Sequence, residues 1–281
     1  ENLKGLLPAS IEAKKLKEHR TAPNHPAEIF IKLALEYYPE LPIRLNIFLS
    51  CNQFGNDYED ASQKVNTLID ACNQVISSDK LARILQKMLA VGNIMNQGTH
   101  KGQAEGITLD SMLKMVHTKG VDKKTSVLDY VVKKIFSKGD DKLLNAPDDI
   151  SLAEEAARLS GNEIGRNLQA LLQTLSSIEG EITRVKTKCS NSGGITAQVT
   201  DKYIIKLELF LKSANHRAQE VSRVQSLMTR KVTEVVEYFG EDVSSCDTTK
   251  IFGVLVEFRK ALITSKTAAI RKMKSKNTKT P

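Results

Sequence analysis

The sequence predicts an all-α, elongated fold, and three observations carry that prediction. Apolar residues recur every three or four positions along most of the chain, no stretch alternates apolar and polar residues over a useful length, and five of the seven prolines fall in the first 42 residues. Proline breaks helix interiors, so the spans 43–146 and 148–280, separated by Pro147, are free to be helical over long distances.

The elements follow in order. Pro8, Pro23, Pro26, Pro39 and Pro42 cut the opening segment into short helices, expected over Glu12 to Arg20 and Glu28 to Tyr38. Ile43, Ile47 and Phe48 form one apolar face, and Val65, Leu68, Ile69, Cys72 and Val75 form another. Ser78 or Asp79 can cap a helix carrying Leu81, Ile84, Leu85, Met88, Leu89 and Val91, expected to stop at Gly92-Asn93. Four glycines between Gly92 and Gly106 predict a long irregular loop. Helical spacing resumes at Leu109, Leu113 and Val116, then at Val127, Leu128, Val131, Val132 and Ile135, where the valine pair looks strand-like only locally. Beyond Pro147, a stripe from Leu168 to Val185 and a second from Ile204 to Val235 flank a turn at Ser190-Asn191-Ser192-Gly193-Gly194. A helix from about 199 to 238 would run roughly 60 Å at 1.5 Å per residue, which predicts two long antiparallel helices forming a stalk.

Composition excludes several function classes. The chain has 281 residues, of which 41% are hydrophobic and 26% charged, enough to bury a core. Its uninterrupted apolar runs reach only about four residues, far short of a bilayer-spanning helix. Glu1-Asn2-Leu3-Lys4 is neither a starting Met nor a signal peptide, so a fragment of a longer protein is expected. The net charge is +8, yet eight cations and no acids lie between Arg259 and Pro281, and the remainder holds 33 basic and 33 acidic residues. A neutral body with a basic end argues against a nucleic-acid-binding domain, and the end itself reads as a solvated helix terminus with a frayed extension.

No set of residues suited to catalysis survives inspection. Ser77 and Lys80 have the SxxK spacing of serine acyl-enzymes but lack the partner motifs, and Ser-Ser-Asp before an apolar helix is what a helix cap looks like. The Gly92–Gly106 loop has neither the GK[ST] ending nor the preceding strand of a phosphate cradle. Five histidines show no metal-ligand pairing, and Cys51, Cys72, Cys189 and Cys246 form no CxxC motif. Reduced cysteines, with Cys51 and Cys72 in the core, are expected, with no metal and no cofactor.

The run Leu89-Ala-Val-Gly92-Asn93-Ile-Met-Asn96-Gln-Gly98 resembles the signature of the formin homology 2 domain, an apolar helix ending in Gly-Asn-x-x-Asn before a glycine-rich loop. Gly102, Ala104 and Gly106 resemble its Gly-x-Ala-x-Gly-Phe run, with Ile107 where Phe is usual. Leu109, Leu113-Lys114, Thr118-Lys119 and Asp122 follow in register, as does Val127-Leu128-Asp129-Tyr130, with Asp129 in place of His. Arg44-Leu45, Ala156-Ala157-Arg158-Leu159 and Tyr238-Phe239-Gly240-Glu241 extend the likeness over nearly the whole chain.

What the resemblance implies is a helical rod with a knob over about 1–150, a three-helix or coiled-coil stalk and a post over 151–258, and a basic tail over 259–281. It implies no bond chemistry. It implies actin as partner, with two subunits joined head to tail gripping the barbed end of a filament, nucleating it and stepping with it in the cytoplasmic actin cytoskeleton. Arg158, with Lys133 and Lys134, is expected to meet actin. Gly92, Asn93, Asn96, Gly98, Tyr238, Phe239 and Gly240 are expected where a partner's encircling N-terminal lasso meets the post. That lasso bears Trp in the family, and this chain has none, so the lasso is expected to be missing and the fragment to associate weakly. Profilin-bound actin is expected only through a neighbouring proline-rich region absent here. The alternative reading is a basic-tailed helical scaffold on an anionic membrane surface or nucleic acid.

Overall fold

The computed structural model describes residues 14–15, 18, 25–37, 40–99, 102–120, 122–190, 195–244 and 247–277. Among them the chain is all-α, with no strand: α1 Pro26–Tyr37, α2 Leu41–Ser77, α3 Asp79–Met95, α4 Leu109–His117, α5 Val127–Ser137, α6 Ala146–Asp149, α7 Ala153–Ala156, α8 Gly161–Ser190, α9 Ile195–Tyr238 and α10 Thr248–Asn277. The expected helix over Glu12 to Arg20 lies outside the described residues except for Lys14, Lys15 and Glu18, which are helical. Cys189, Cys246, His19, His100 and the 191–194 turn also lie outside them in whole or in side chain.

The helices start where the chain offers caps. Pro42 sits at the second position of α2, where its missing N–H would have had no partner, so the two apolar faces expected after it belong to one 37-residue helix. Ser78 caps α3 by accepting from the Leu81 amide at 3.1 Å, and its hydroxyl donates to Asp149 at 2.8 Å. Lys80 pairs with the same carboxylate at 2.6 Å, so the Ser77/Lys80 spacing is a helix start. Ser126 and Asp129 form a reciprocal capping box that starts α5, and this settles the valine pair as helical.

Two compact units interleave along the chain: residues 1–60 with 169–220, and residues 61–168 with 221–281. In the first unit, Ile178, Ile182 and Val185 of α8 pack with Tyr203, Ile204 and Leu207 of α9, joined by Ile47, Phe48 and Cys51 of α2. Phe48 meets Tyr203 edge-on at 5.2 Å, and Phe54 meets Phe210 at 5.6 Å. Beside this core runs a charged cluster absent from the sequence reading. Arg184 bonds Glu40 at 2.9 Å and the buried Glu181 at 2.8 Å, Lys188 reaches Glu40 at 2.6 Å, and Tyr203 donates to Glu181 at 3.4 Å. Bonds from Arg184 and Lys188 hold the Glu40 carboxyl down at about 2.

In the second unit α10 packs on α4, α5 and α7 through Ile251, Phe252, Leu255, Phe258 and Leu262, against a core that includes Leu68, Leu81, Met88 and Leu128. Ser265 is buried too, and Arg259 donates to the Pro147 carbonyl at 2.8 Å and pairs with Glu154. The basic end is therefore not simply a solvated terminus: through Ser265 it is part of a core. Cys72 is buried and Cys51 half-buried, both thiols free, and burial pushes them up to about 12 and about 11.

Candidate protein-interaction site

The second unit brings two groups of sequence-predicted residues to the same short helix, α4. Helix α3 runs two residues past Gly92-Asn93 and ends at Met95, with Asn96 as C-cap donating its N–H to the Gly92 carbonyl at 3.0 Å. Gly92 is therefore helical and buried, and the glycine of this segment with positive φ is Gly98, at +84°. What Gly92 provides is room: a Cβ there would lie 2.6 Å from the Met115 Cε of α4.

Asn93 shapes the loop that follows. Its side chain donates to the Ala104 carbonyl at 2.9 Å and accepts from the Ala104 amide at 3.1 Å, closing eleven residues like a rung of a ladder. Asn96 contributes backbone, its carbonyl accepting from the amide and hydroxyl of Thr99 at 3.0 and 2.7 Å. Gly102 then passes so close that a Cβ would lie 2.5 Å from that same carbonyl. Backbone cannot yield as a methionine tip can. Gly102→Ala is therefore expected to shift the loop and cost about 1–3 kcal/mol, while Gly92→Ala, met by a flexible side chain, costs under about 1 kcal/mol. Urea unfolding of both variants checks the order, and a larger loss for Gly92→Ala would refute it.

At the other group, α9 ends at Tyr238 in a Schellman turn: Glu241 donates its N–H to the Val236 carbonyl at 3.0 Å and Gly240 to Glu237 at 2.9 Å, with Gly240 at φ +63°. The turn swings Glu241 onto the first amide of α4, Leu109, at 3.2 Å. A carboxylate at a helix N-terminus satisfies an orphan donor and complements the helix dipole. Phe239 is 2% exposed, whereas Tyr238 is 41% exposed and touches the Phe239 ring edge-on at 5.1 Å. Of the seven residues expected at a lasso–post contact, Tyr238 is the one that presents a large apolar side chain outward.

The sequence reading missed two residues beside them. Ile94 and Met95, at the end of α3, are 69% and 56% exposed, which is a high cost for large apolar groups with no use. Only Ile94 carried a signal, since it falls off the helical stripe that Leu81, Ile84, Leu85 and Met88 establish, whereas Met95 continues that stripe past the end of its cover. Arg158 stands exposed just after α7, its guanidinium without an ion-pair partner among the described residues. Lys133 and Lys134 are exposed on α5, Lys134 lying 5.6 Å from the Tyr130 ring.

Among the described residues no three His, Cys, Asp or Glu side chains gather to hold a metal ion, and no helix is long and apolar enough to cross a membrane. An all-helical chain whose distinguishing surface is an exposed apolar step beside two specific turns defines an interaction module. Comparison with known proteins agrees. The family model described as Formin Homology 2 Domain matches residues 1–263. The chain is 30% identical over 261 residues to Formin-like protein 20 of Arabidopsis thaliana, covering 92% of this chain and 15% of that protein. It is 28% identical over 268 residues to Formin-like protein 6 of Oryza sativa subsp. japonica, covering 94% and 19%. Formin-like protein 17 of Arabidopsis thaliana is 28% identical over 233 residues, covering 83% and 45%. The chain thus spans less than half the length of these curated relatives. It belongs to the formin homology 2 family, which is non-enzymatic.

Asp129 stands where the resemblance has His, and the structure supplies a reason. One carboxylate oxygen accepts from the Ser126 amide at 2.9 Å and the other from the Ser265 hydroxyl at 2.6 Å, joining α5 to α10. Burial, which raises its carboxyl, is outweighed by these bonds, and the carboxyl stays below its usual range.

Proposed function

We propose that this chain is an actin-assembly module that nucleates filaments, stays on the barbed end while subunits add, and works as a head-to-tail homodimer in the cytoplasmic actin cytoskeleton. The observation that carries the reading is family membership across residues 1–263, with the Gly92–Asn96 signature built as an exposed apolar step. We assign the family's post to the second unit, where Gly92 and the Glu241 that follows the Tyr238–Gly240 turn both meet α4, with Asn93, Asn96 and Gly98 shaping the adjoining loop, and its coiled coil to the three-helix core of the first. Ile94, Met95 and Tyr238 are the surface on which a partner subunit's apolar anchors would rest.

Arg158, Lys133 and Lys134 are the proposed actin contacts, as cations that steer association with an acidic surface and donate charge-assisted hydrogen bonds. The test is fluorescence-monitored actin assembly, with barbed-end affinity measured in parallel. The wild-type domain, dimeric by sedimentation, is expected to shorten the assembly lag, and Arg158→Asp is expected to weaken barbed-end affinity roughly threefold or more. An active dimer whose affinity Arg158→Asp leaves untouched would remove Arg158 from the contact. A dimer without effect on assembly would remove the reading itself.

A further inference from the structure

The proposed actin contacts Lys133 and Lys134 lie one helical turn before an exposed hydroxyl. Ser137 is the last residue of α5, and residues three and four apart on a helix share a face, so it stands beside both lysines. Its hydroxyl donates to the Lys134 carbonyl at 2.9 Å, a bond within the last turn of its own helix. From there the chain stays at the surface until the buried Leu143. Residues 137–142 are all exposed, and Gly139 takes φ +75°. The turn is closed by backbone bonds from Gly139 to Phe136 at 3.1 Å and from Asp140 to Ile135 at 3.2 Å. Opening residues 137–142 therefore moves no buried side chain.

That run is Ser137-Lys138-Gly139-Asp140-Asp141-Lys142. Acids three and four places after a serine are what an acid-directed serine kinase recognises, because cations in its substrate groove meet the carboxylates there. Other serines also have an acid three places on, and each is already used or enclosed. Ser126 and Ser160 cap helices, Ser151 accepts from Gln74 at 3.3 Å, and Ser244 donates to Asp242 at 2.7 Å. Ser176 lies in mid-helix between the buried Leu175 and Ile178. At Ser137 the carboxylates stand open: Asp141 is exposed, and Asp140, also exposed, meets the Lys87 ammonium only at the long distance of 3.9 Å.

We propose that Ser137 is a phosphorylation site for an acid-directed protein kinase, and that the phosphate masks Lys133 and Lys134. The masking rests on the reading of those lysines as actin contacts. In the transfer, the Ser137 Oγ bonds to the γ-phosphorus of a nucleoside triphosphate and the bond from that phosphorus to the β–γ bridging oxygen breaks. The nucleoside diphosphate leaves, and the hydroxyl proton passes to the kinase's catalytic base. A phosphoserine carries about −1.5 to −2 charge at neutral pH, enough to cancel the two ammonium groups one turn away. It also stands at the C-terminal end of α5, where the helix dipole disfavours an anion. The last turn therefore loosens, the bond to the Lys134 carbonyl is given up, and the phosphate is free to swing toward the ammonium groups. Positive charge lost from a surface offered to an acidic partner slows encounter first.

The test treats the 281-residue chain with casein kinase II and ATP, locates phosphate by peptide mass spectrometry, and measures barbed-end affinity at low and high salt. Phosphate is expected at Ser137, with affinity about fivefold weaker at low salt and less dependent on salt than in the untreated protein. Ser137→Ala is expected to keep its affinity through the same treatment. Ser137→Glu is expected to weaken it about twofold without kinase, since a single charge replaces nearly two. A folded chain that takes no phosphate at Ser137 would overturn the proposal. So would full phosphorylation there with unchanged affinity, while Lys133→Gln/Lys134→Gln weakens it. If that double variant leaves affinity unchanged, the lysines are not actin contacts, and the earlier reading fails together with the masking.

Discussion

Phe239→Ala is expected to destabilise the second unit by about 3–5 kcal/mol, the loss typical of deleting a fully buried aromatic ring from a close-packed core. Phe239 is 2% exposed and sits at the Schellman turn that sends Glu241 to α4, so the cavity would also loosen that capping contact. Its neighbour is the control. Tyr238 is largely at the surface, and Tyr238→Ala is expected to cost under about 1 kcal/mol. Urea unfolding separates the two, and an equal or larger loss for Tyr238→Ala would refute the contrast between a buried and an exposed ring. The consequence for function is practical: Tyr238→Ala can probe a subunit contact in a folded domain, whereas Phe239→Ala reports on folding first.

Arg184→Ala is expected to cost about 2–4 kcal/mol in the first unit, because it leaves the buried Glu181 with only the Tyr203 hydroxyl and strips Glu40 of its two-pronged partner. The same cluster sets an acid limit. Glu40 titrates at about 2 when folded against 4.5 as its ordinary value. A lowered folded value means that the stabilisation is complete above about pH 4.5 and is lost as pH falls toward 2. Thermal melts between pH 5 and 2.5 should show the wild type losing stability more steeply than Arg184→Ala. Parallel slopes in the two proteins would refute the assignment.

Helix class and most helix positions were readable because they depend on neighbours three and four residues away. The stripe from Leu168 to Val185, the cap at Ser78 and the end of the long helix at Tyr238 all follow from spacing, capping chemistry and a terminal Gly240. The family signature was legible for a related reason, since its residues fall in one order along the chain. The stop expected at Gly92-Asn93 was not right, because a glycine in a helix and a glycine ending one look alike until the partner surface is known. Met115 of α4, 23 residues away, is what gives Gly92 its place.

What the amino-acid sequence determined by itself is an all-α chain of the formin homology 2 family, its helix caps, and a neutral body with a basic end. Tertiary structure alone decided which polar residues are consumed and which are left over. Glu40, Glu181, Arg184 and Tyr203 are scattered over more than 160 positions and give no periodic signal, yet they converge beside one core. Asp122 and Asp129 look in sequence like partners for the lysines around them, and in space they turn to amides and hydroxyls instead. Local pattern reports on one helix face at a time. Pairing between distant side chains depends on how helices are brought together, and a one-dimensional period cannot encode it.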